Sequence, residues 1–462
     1  MPKAYCLMPM NRRDFLGLSA GGMGALALGA QERPPAVVGK AKRVFFLFQY
    51  GAPSQVDTWD YKPRLRELHG KPVPAEFKKK DKVGGVFKSC HDKLMWTPWE
   101  WKRHGEIWAS ELVRRTAAHV DDLCFIRSMV SESSNHAPAT YQMNTGVILP
   151  GKPSLGSWLT YGLGSENRNL PGYVLLFKVA GLGGSANWSN GFLPAAYQGT
   201  PFRTEGDPVL DLRPPTAFAG SQRATLDALH ALNREHRDAR PGRSDLDARI
   251  QSYELAYRMQ SEAMEVGDLS TESKATLDEY GVTSSNKAEA HYARMCLQAR
   301  RLSEKGVRVV QLYNAVDKFG WDSHEKHREN HAANGAQTDR PTAALLADLK
   351  RRGMLEETLV IWAGEFGRTP MEQGSGGRNH NPYGFTVWMA GGGVRGGQAI
   401  GATDEIGLRA EVQPTPVKDL HATILTAMGI RPDDFSFEFN GRPERLTGVA
   451  ASWKLIPGVL TF

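Results

Sequence analysis

Val44-Phe45-Phe46-Leu47-Phe48 is an unbroken apolar run, and Gly51-Ala52-Pro53-Ser54 follows it almost at once. A short apolar stretch without alternation fits a strand covered on both faces, as strands of a parallel sheet are. Similar runs recur at Leu123–Met129, Tyr173–Phe177, Val307–Leu312, Leu359–Ala363 and Phe385–Ala390. Helical spacing lies between several of them. Tyr292, Cys296, Ala299 and Leu302 step ahead of Val307, and Leu345, Leu346 and Leu349 step ahead of Leu359. Alternating helices and buried strands predict an α/β fold with a mostly parallel central sheet flanked by helices. A last helix is expected from Val417 to Met428, stopping at Gly429.

Residues 185–290 break this rhythm. They open with Gly, Asn and Pro and become polar and helical, with Leu226, Leu229 and Leu232 three apart. This segment reads as an insertion or cap on one α/β domain spanning 40–462, because no period of a repeat architecture stands out. A chain of 462 residues, 41% hydrophobic and 23% charged, buries a large core and is neither disordered nor a membrane protein in composition. Its formal charge of +7 is scattered, and no nucleic-acid motif accompanies it.

The first residues carry a different message. Asn11-Arg12-Arg13-Asp14-Phe15-Leu16 opens a small, weakly apolar stretch that ends in Ala27-Leu28-Gly29-Ala30. Residues 1–30 therefore read as a twin-arginine export signal, with the twin-arginine translocase as partner and a periplasmic or extracellular destination. No later run reaches the ~18 apolar residues of a membrane span. Cys90, Cys124 and Cys296 contain no Cys-x-x-Cys pair and indicate no disulfide framework.

In open α/β sheets ligands collect beyond the carboxyl ends of the strands. Asp57 follows the first strand. Ser133, Ser134 and His136 follow Met129, while Asp317, Asp322 and His324 follow Leu312. Glu365 and Arg368 follow Ala363, and His380 lies just before the strand at Phe385. Each has an ordinary structural explanation: Asp57 a helix cap, the serines turn residues, Glu365 with Arg368 an ion pair. His327 and His331, in a charged helical run, read as solvent-facing. Jointly, Asp322, His324, Glu365 and His380 converge if the sheet is parallel, and carboxylates with imidazoles are divalent-metal ligands.

Asp419-Leu420-His421-Ala422-Thr423-Ile424-Leu425-Thr426-Ala427-Met428-Gly429-Ile430 resembles a helix found late in the alkaline phosphatase and sulfatase superfamily. A closer resemblance is to the exported DUF1501 family. It rests on Gly51–Ser54 with Asp57, on Ser134-Asn135-His136, on Gly162–Asn167, on Asn190–Pro194, on Gly320–His324 and on Glu365–Pro370. The superfamily resemblance implies an alkaline-phosphatase-like fold and hydrolysis or transfer of phosphate or sulfate esters at a metal site. It implies Asp57, Asp322, His324, Glu365 and His380 as metal ligands, and Ser134 or Ser133 as nucleophile, beside His136. Arg368 would bind an anionic oxygen. The divalent metal stays open among zinc, calcium, magnesium and manganese.

Two departures qualify what is implied. Phe366 stands where members of the superfamily usually place histidine, which points to one metal ion in place of two, or a weaker site. No Cys-x-Pro-x-Arg pattern exists, so formylglycine sulfatase chemistry is disfavoured. The expectation is an exported metal-dependent hydrolase of anionic esters or glycan-linked esters. A catalytically inactive binding or scaffolding protein on the same fold is the alternative.

Overall fold

The computed structural model describes residues 39–78, 90–179, 181–213, 220–240, 244–314, 319–448 and 452–461. The twin-arginine segment, Cys6 and Asp317 lie outside these residues. In chain order the strands are β1 (Arg43–Phe48), a hairpin of β2 (Trp101–His104) and β3 (Ile107–Ser110), β4 (Leu123–Val130), β5 (Tyr173–Phe177) and β6 (Thr200–Phe202). Then come β7 (Val309–Tyr313), β8 (Thr358–Ala363), β9 (Gly367–Gln373), β10 (Gly377–Asn381), β11 (Phe385–Ala390) and β12 (Gln398–Ile400). Shorter pieces β13 (Ala402–Thr403), β14 (Ala410–Val412), β15 (Thr415–Pro416), β16 (Phe437–Phe439) and β17 (Arg442–Glu444) complete the set.

The central sheet is nine-stranded, in the order β12-β4-β11-β8-β1-β7-β5-β6, with β15 beside β4. Every pairing in it is parallel except the two made by β11. The mostly parallel α/β sheet expected from the apolar runs is therefore what forms. Alternate residues of β1 enter opposite cores. Phe45 and Leu47 join one, with the helices Lys287–Glu304 and His327–Arg351; Val44, Phe46 and Phe48 join the other, with Leu155–Leu163 and Val417–Ala427. Burial on both faces is the physical reason that β1 has no polar alternation.

Residues 185–290 join both the sheet and one of the cores. They supply the edge strand β6, and their long helix Ser244–Gly267 puts Met259, Ala263 and Val266 into the first core. Leu232 faces outward, so the leucine step at 226–232 is buried only at Leu226.

Register fixes where function can sit. Phe48 lies opposite both Tyr313 and Ala363, so β1, β7 and β8 end level with one another. β4 ends close by, and antiparallel β11 begins there, with Phe385 opposite Met129. The loops after four strands and the β9–β10 hairpin before β11 thus open at one edge of the sheet. Two of these loops cross in near contact. Gly51 (φ +93°) and Gly320 (φ +56°) make the crossing possible, since a Cβ on either would lie 2.2 Å from the other loop's backbone.

Candidate metal centre

Asp322 is the hub of that edge. Its Oδ1 accepts from Arg368 Nη2 at 2.7 Å and lies 3.2 Å from His324 Nε2 and 3.4 Å from His380 Nε2. Its Oδ2 lies 3.3 Å from His136 Nε2. Ligand-type atoms of His136, Asp322 and His380 fall within 4.8 Å of one another. His324 closes the rim, with 40% of its side chain exposed.

The other nitrogen of each imidazole is already engaged. His136 Nδ1 meets Glu365 Oε1 at 2.5 Å, His324 Nδ1 meets Gln373 Oε1 at 2.6 Å, and His380 Nδ1 meets the Ser134 carbonyl at 2.6 Å. All three partners are oxygens that only accept, so in the neutral rings Nδ1 carries the proton and donates. Three Nε2 lone pairs then face one carboxylate, an arrangement that calls for a cation among them. An imidazole held by a carboxylate or carbonyl behind it is the usual way to aim a metal ligand.

Buried orphan atoms test the fit. His136 Nε2 is buried without a directional hydrogen bond, and Glu365 Oε2 is buried with no partner. Two or three imidazole nitrogens with an aspartate are a donor set that zinc accepts readily. The residues present fit a divalent ion, with His136, Asp322 and His380 as its holders and His324 at the open side.

Electrostatics point the same way. Burial pushes the Asp322 carboxyl up, but the imidazoles of His136 and His380 and the charge of Arg368 outweigh it, so it stays ionised far below the ordinary carboxylate range. Burial, helped by Arg368 and His136, brings His380 down to about 3, which keeps its ring neutral and its lone pair available. His136 goes the other way: Asp322 and Glu365 outweigh burial and move it up, so holding an ion there would displace a proton from the ring.

Glu365 stands behind His136 instead of beside Asp322. Fully buried, it accepts from the Gly51 N–H at 3.0 Å and supports the imidazole. Replacing it by glutamine is expected to weaken divalent-metal affinity about 10–100-fold with the fold intact. Competition against a metallochromic chelator measures this, and unchanged affinity would remove Glu365 from the support of the centre.

Several expectations are corrected by the geometry. Arg368 is fully buried and donates to the carbonyls of Ala52, Gly51 and Arg378 as well as to Asp322. It anchors the Asp322 carboxylate and is not presented to an anion. Asp57 is not brought to Asp322. Its carboxylate is taken by Arg378 at 2.7 Å, His327 at 2.9 Å and Ser54 at 2.5 Å, all buried. His327 and His331, expected at the surface, are buried beside it; Ser323 Oγ contacts His327 Nδ1 at 2.8 Å, and the Ser54 N–H donates to His331 Nε2 at 3.0 Å.

The serines are mixed in placement. Ser133 Oγ accepts from the Asn135 N–H at 3.1 Å, while Ser134 is exposed with its carbonyl held by His380. Phe366 is buried, its ring centroid 4.9 Å from that of His136 and 4.7 Å from that of His380. An apolar ring fills the space next to both imidazoles.

The family model described as "Protein of unknown function (DUF1501)" matches residues 41–458. The chain belongs to the DUF1501 family. In this DUF1501 protein the match takes in every residue of the centre and of the Asp57 network. No curated protein matches the chain. Among solved structures, the PsFucS1 sulfatase from Pseudoalteromonas sp. is 12% identical, over 91% of this chain and 74% of its own, at a TM-score of 0.37. The lipoteichoic acid synthase LtaP from Listeria monocytogenes is 9% identical over 88% and 77%, at 0.37. The TAB5 alkaline phosphatase is 10% identical over 84% and 98%, also at 0.37. Likeness at this level leaves the reading of the centre to its own geometry.

Proposed function

We propose that this protein is an exported hydrolase of phosphate or sulfate monoesters that works with a divalent ion held by His136, Asp322 and His380. The observation that carries the reading is the convergence of three Nε2 atoms on Asp322, each with its Nδ1 tied to an oxygen. A divalent ion there would supply Lewis-acid stabilisation of charge on an ester's non-bridging oxygens. Asp322 contributes the charge that attracts the ion, and Arg368 fixes the direction of that carboxylate. His324 stands at the rim, with Nδ1 tied to Gln373 and Nε2 toward Asp322. Ser134, exposed next to His380, is the hydroxyl assigned to attack the phosphorus or sulfur, losing its proton to solvent as the bond to the alcohol breaks; water then releases the anion and restores the serine, and His136 helps to hold the ion in this scheme. Export rests on the paired arginines and the small apolar stretch that follows them. No helix among the described residues is long and apolar enough to cross a membrane.

Phe366 and the buried Arg368 favour a second reading, in which the same fold binds an anionic ester or glycan without turning it over. The two readings part on one experiment. Metal-loaded protein is assayed on aryl phosphate and aryl sulfate monoesters, then stripped with a chelator and reloaded. Turnover lost on stripping and restored on reloading supports the hydrolase. Saturable binding of an anionic glycan with no turnover supports the binding protein.

A further inference from the structure

Four polar side chains near the start of the helix His327–Arg351 are directed at one short stretch of chain. His327, Asn330, His331 and Asn334 step by three and four, so they share a helix face. Asn330 Nδ2 donates to the Gly320 carbonyl at 2.9 Å and to the Asp322 carbonyl at 3.3 Å. Asn334 Nδ2 donates to the Gly320 carbonyl at 3.0 Å. Ser323 Oγ lies 2.8 Å from His327 Nδ1 and 3.5 Å from His331 Nδ1. The helix thus holds the chain on both sides of Asp322 and at Asp322 itself.

The hydrogen-bond directions agree with one another. His327 Nε2 faces Asp57 Oδ2 at 2.9 Å. A carboxylate accepts, so the neutral ring carries its proton there and leaves Nδ1 to accept from the Ser323 hydroxyl. His331 Nε2 accepts from the Ser54 N–H at 3.0 Å, so its proton is on Nδ1, turned toward Ser323 Oγ. The chain ends on Asp57, which Arg378 fixes in turn. Asp57, Ser323, His327 and His331 are all buried.

The same helix face turns apolar farther along, where Leu345 and Leu349 enter the first core. Apolar side chains at 327 and 331 would also fill the interior, without the cost of desolvating two imidazoles. Polar groups stand where the backbone next to Asp322 needs partners. Arg368 grips the Asp322 carboxylate, but that grip leaves the backbone carrying it unsecured. A metal ligand needs both ends fixed, to within about 0.5 Å.

We infer that Ser323 and Asn330 are positioning residues for the metal centre, joining the buried Asp57 network to the Asp322 carboxylate. This rests on the reading of Asp322 as a holder of the ion. The test uses full-length protein, with zinc affinity measured by chelator competition and the visible absorption of the saturated cobalt(II) form as a signature of ligand geometry. Ser323→Ala and Asn330→Ala should each bind zinc about tenfold more weakly and shift the cobalt spectrum. Ser323→Thr, which keeps the hydroxyl, should match the wild type in both. Asn330 is half-buried, so its variant keeps the test independent of packing around Ser323. Alanine variants that lose stability in urea yet keep wild-type affinity and spectrum would make the network structural only and overturn the inference. A threonine variant as weak as alanine would overturn it as well. Asp322→Ala tells this failure from failure of the centre. Metal lost there but retained with unchanged affinity in both other alanine variants overturns the positioning role alone. Wild-type affinity in Asp322→Ala overturns the centre, and this inference with it.

Discussion

Asp322→Ala is expected to remove stoichiometric divalent metal and to lower ester turnover by at least about a thousandfold, some 4 kcal/mol of transition-state stabilisation. The size follows from the position of this carboxylate. It faces the Nε2 atoms of His136, His324 and His380 and is gripped by Arg368. Without it the three Nε2 atoms face one another with no carboxylate among them to recruit an ion. Alanine also strips buried Arg368 of its carboxylate partner, so part of the loss would come from stability. Asp322→Asn separates the two causes, because the amide oxygen still accepts from Arg368 while the charge is gone. The expected outcome is an Asn variant more stable than the Ala variant in urea denaturation but equally poor in metal by elemental analysis. Wild-type metal content in both variants would show that the ion sits elsewhere.

Much of the edge that carries this centre is legible in the sequence, and the reason is topological. Apolar runs 44–48, 359–363 and 307–312 are strands that lie side by side, so loops starting after them must meet. That placed Asp322, His324, Glu365 and His380 in one region. Their individual roles were not legible, because role depends on which nitrogen or oxygen faces inward. His136 turns Nε2 to Asp322 only because Glu365 holds Nδ1, a tertiary hydrogen bond across 229 positions of sequence. The burial of His327 and His331 is hidden in the sequence for a different reason. Charged neighbours at Arg328 and Glu329 suggested a solvated helix face. The inward stripe was nevertheless present: His327, His331, Asn334, Thr338, Thr342, Leu345 and Leu349 step by three and four and are all buried. Reading the stripe backward from Leu345 would have put both histidines inside.

Asp57→Ala is expected to cost about 3–5 kcal/mol of folding stability, since it leaves the guanidinium of Arg378 buried without its carboxylate. Both partners are fully buried, and Arg378 Nε approaches Asp57 Oδ2 to 2.7 Å. Burial raises the Asp57 carboxyl, but Arg378 and His327 outweigh it and hold the group well below the ordinary range. Its contribution is therefore fully present above the unfolded value near 4 and is lost as pH falls toward the folded one. The histidines beside it act at higher pH. Burial lowers His327, with Asp57 opposing, and burial with the neighbouring His327 lowers His331 further. The unfolded chain then binds protons near pH 6.5 that the folded one refuses, so stability should begin to decline there on acidification. Substituting His331 by glutamine should remove one proton from that linkage, flattening the acid limb by about 1.4 kcal/mol per pH unit below 6.5. Urea titrations from pH 8 to pH 5 on wild type and His331→Gln measure the difference directly. Parallel limbs would mean that His331 takes up its proton while folded. The network around Asp57 would then have to hold a second positive ring beside Arg378, which its single carboxylate is poorly placed to do.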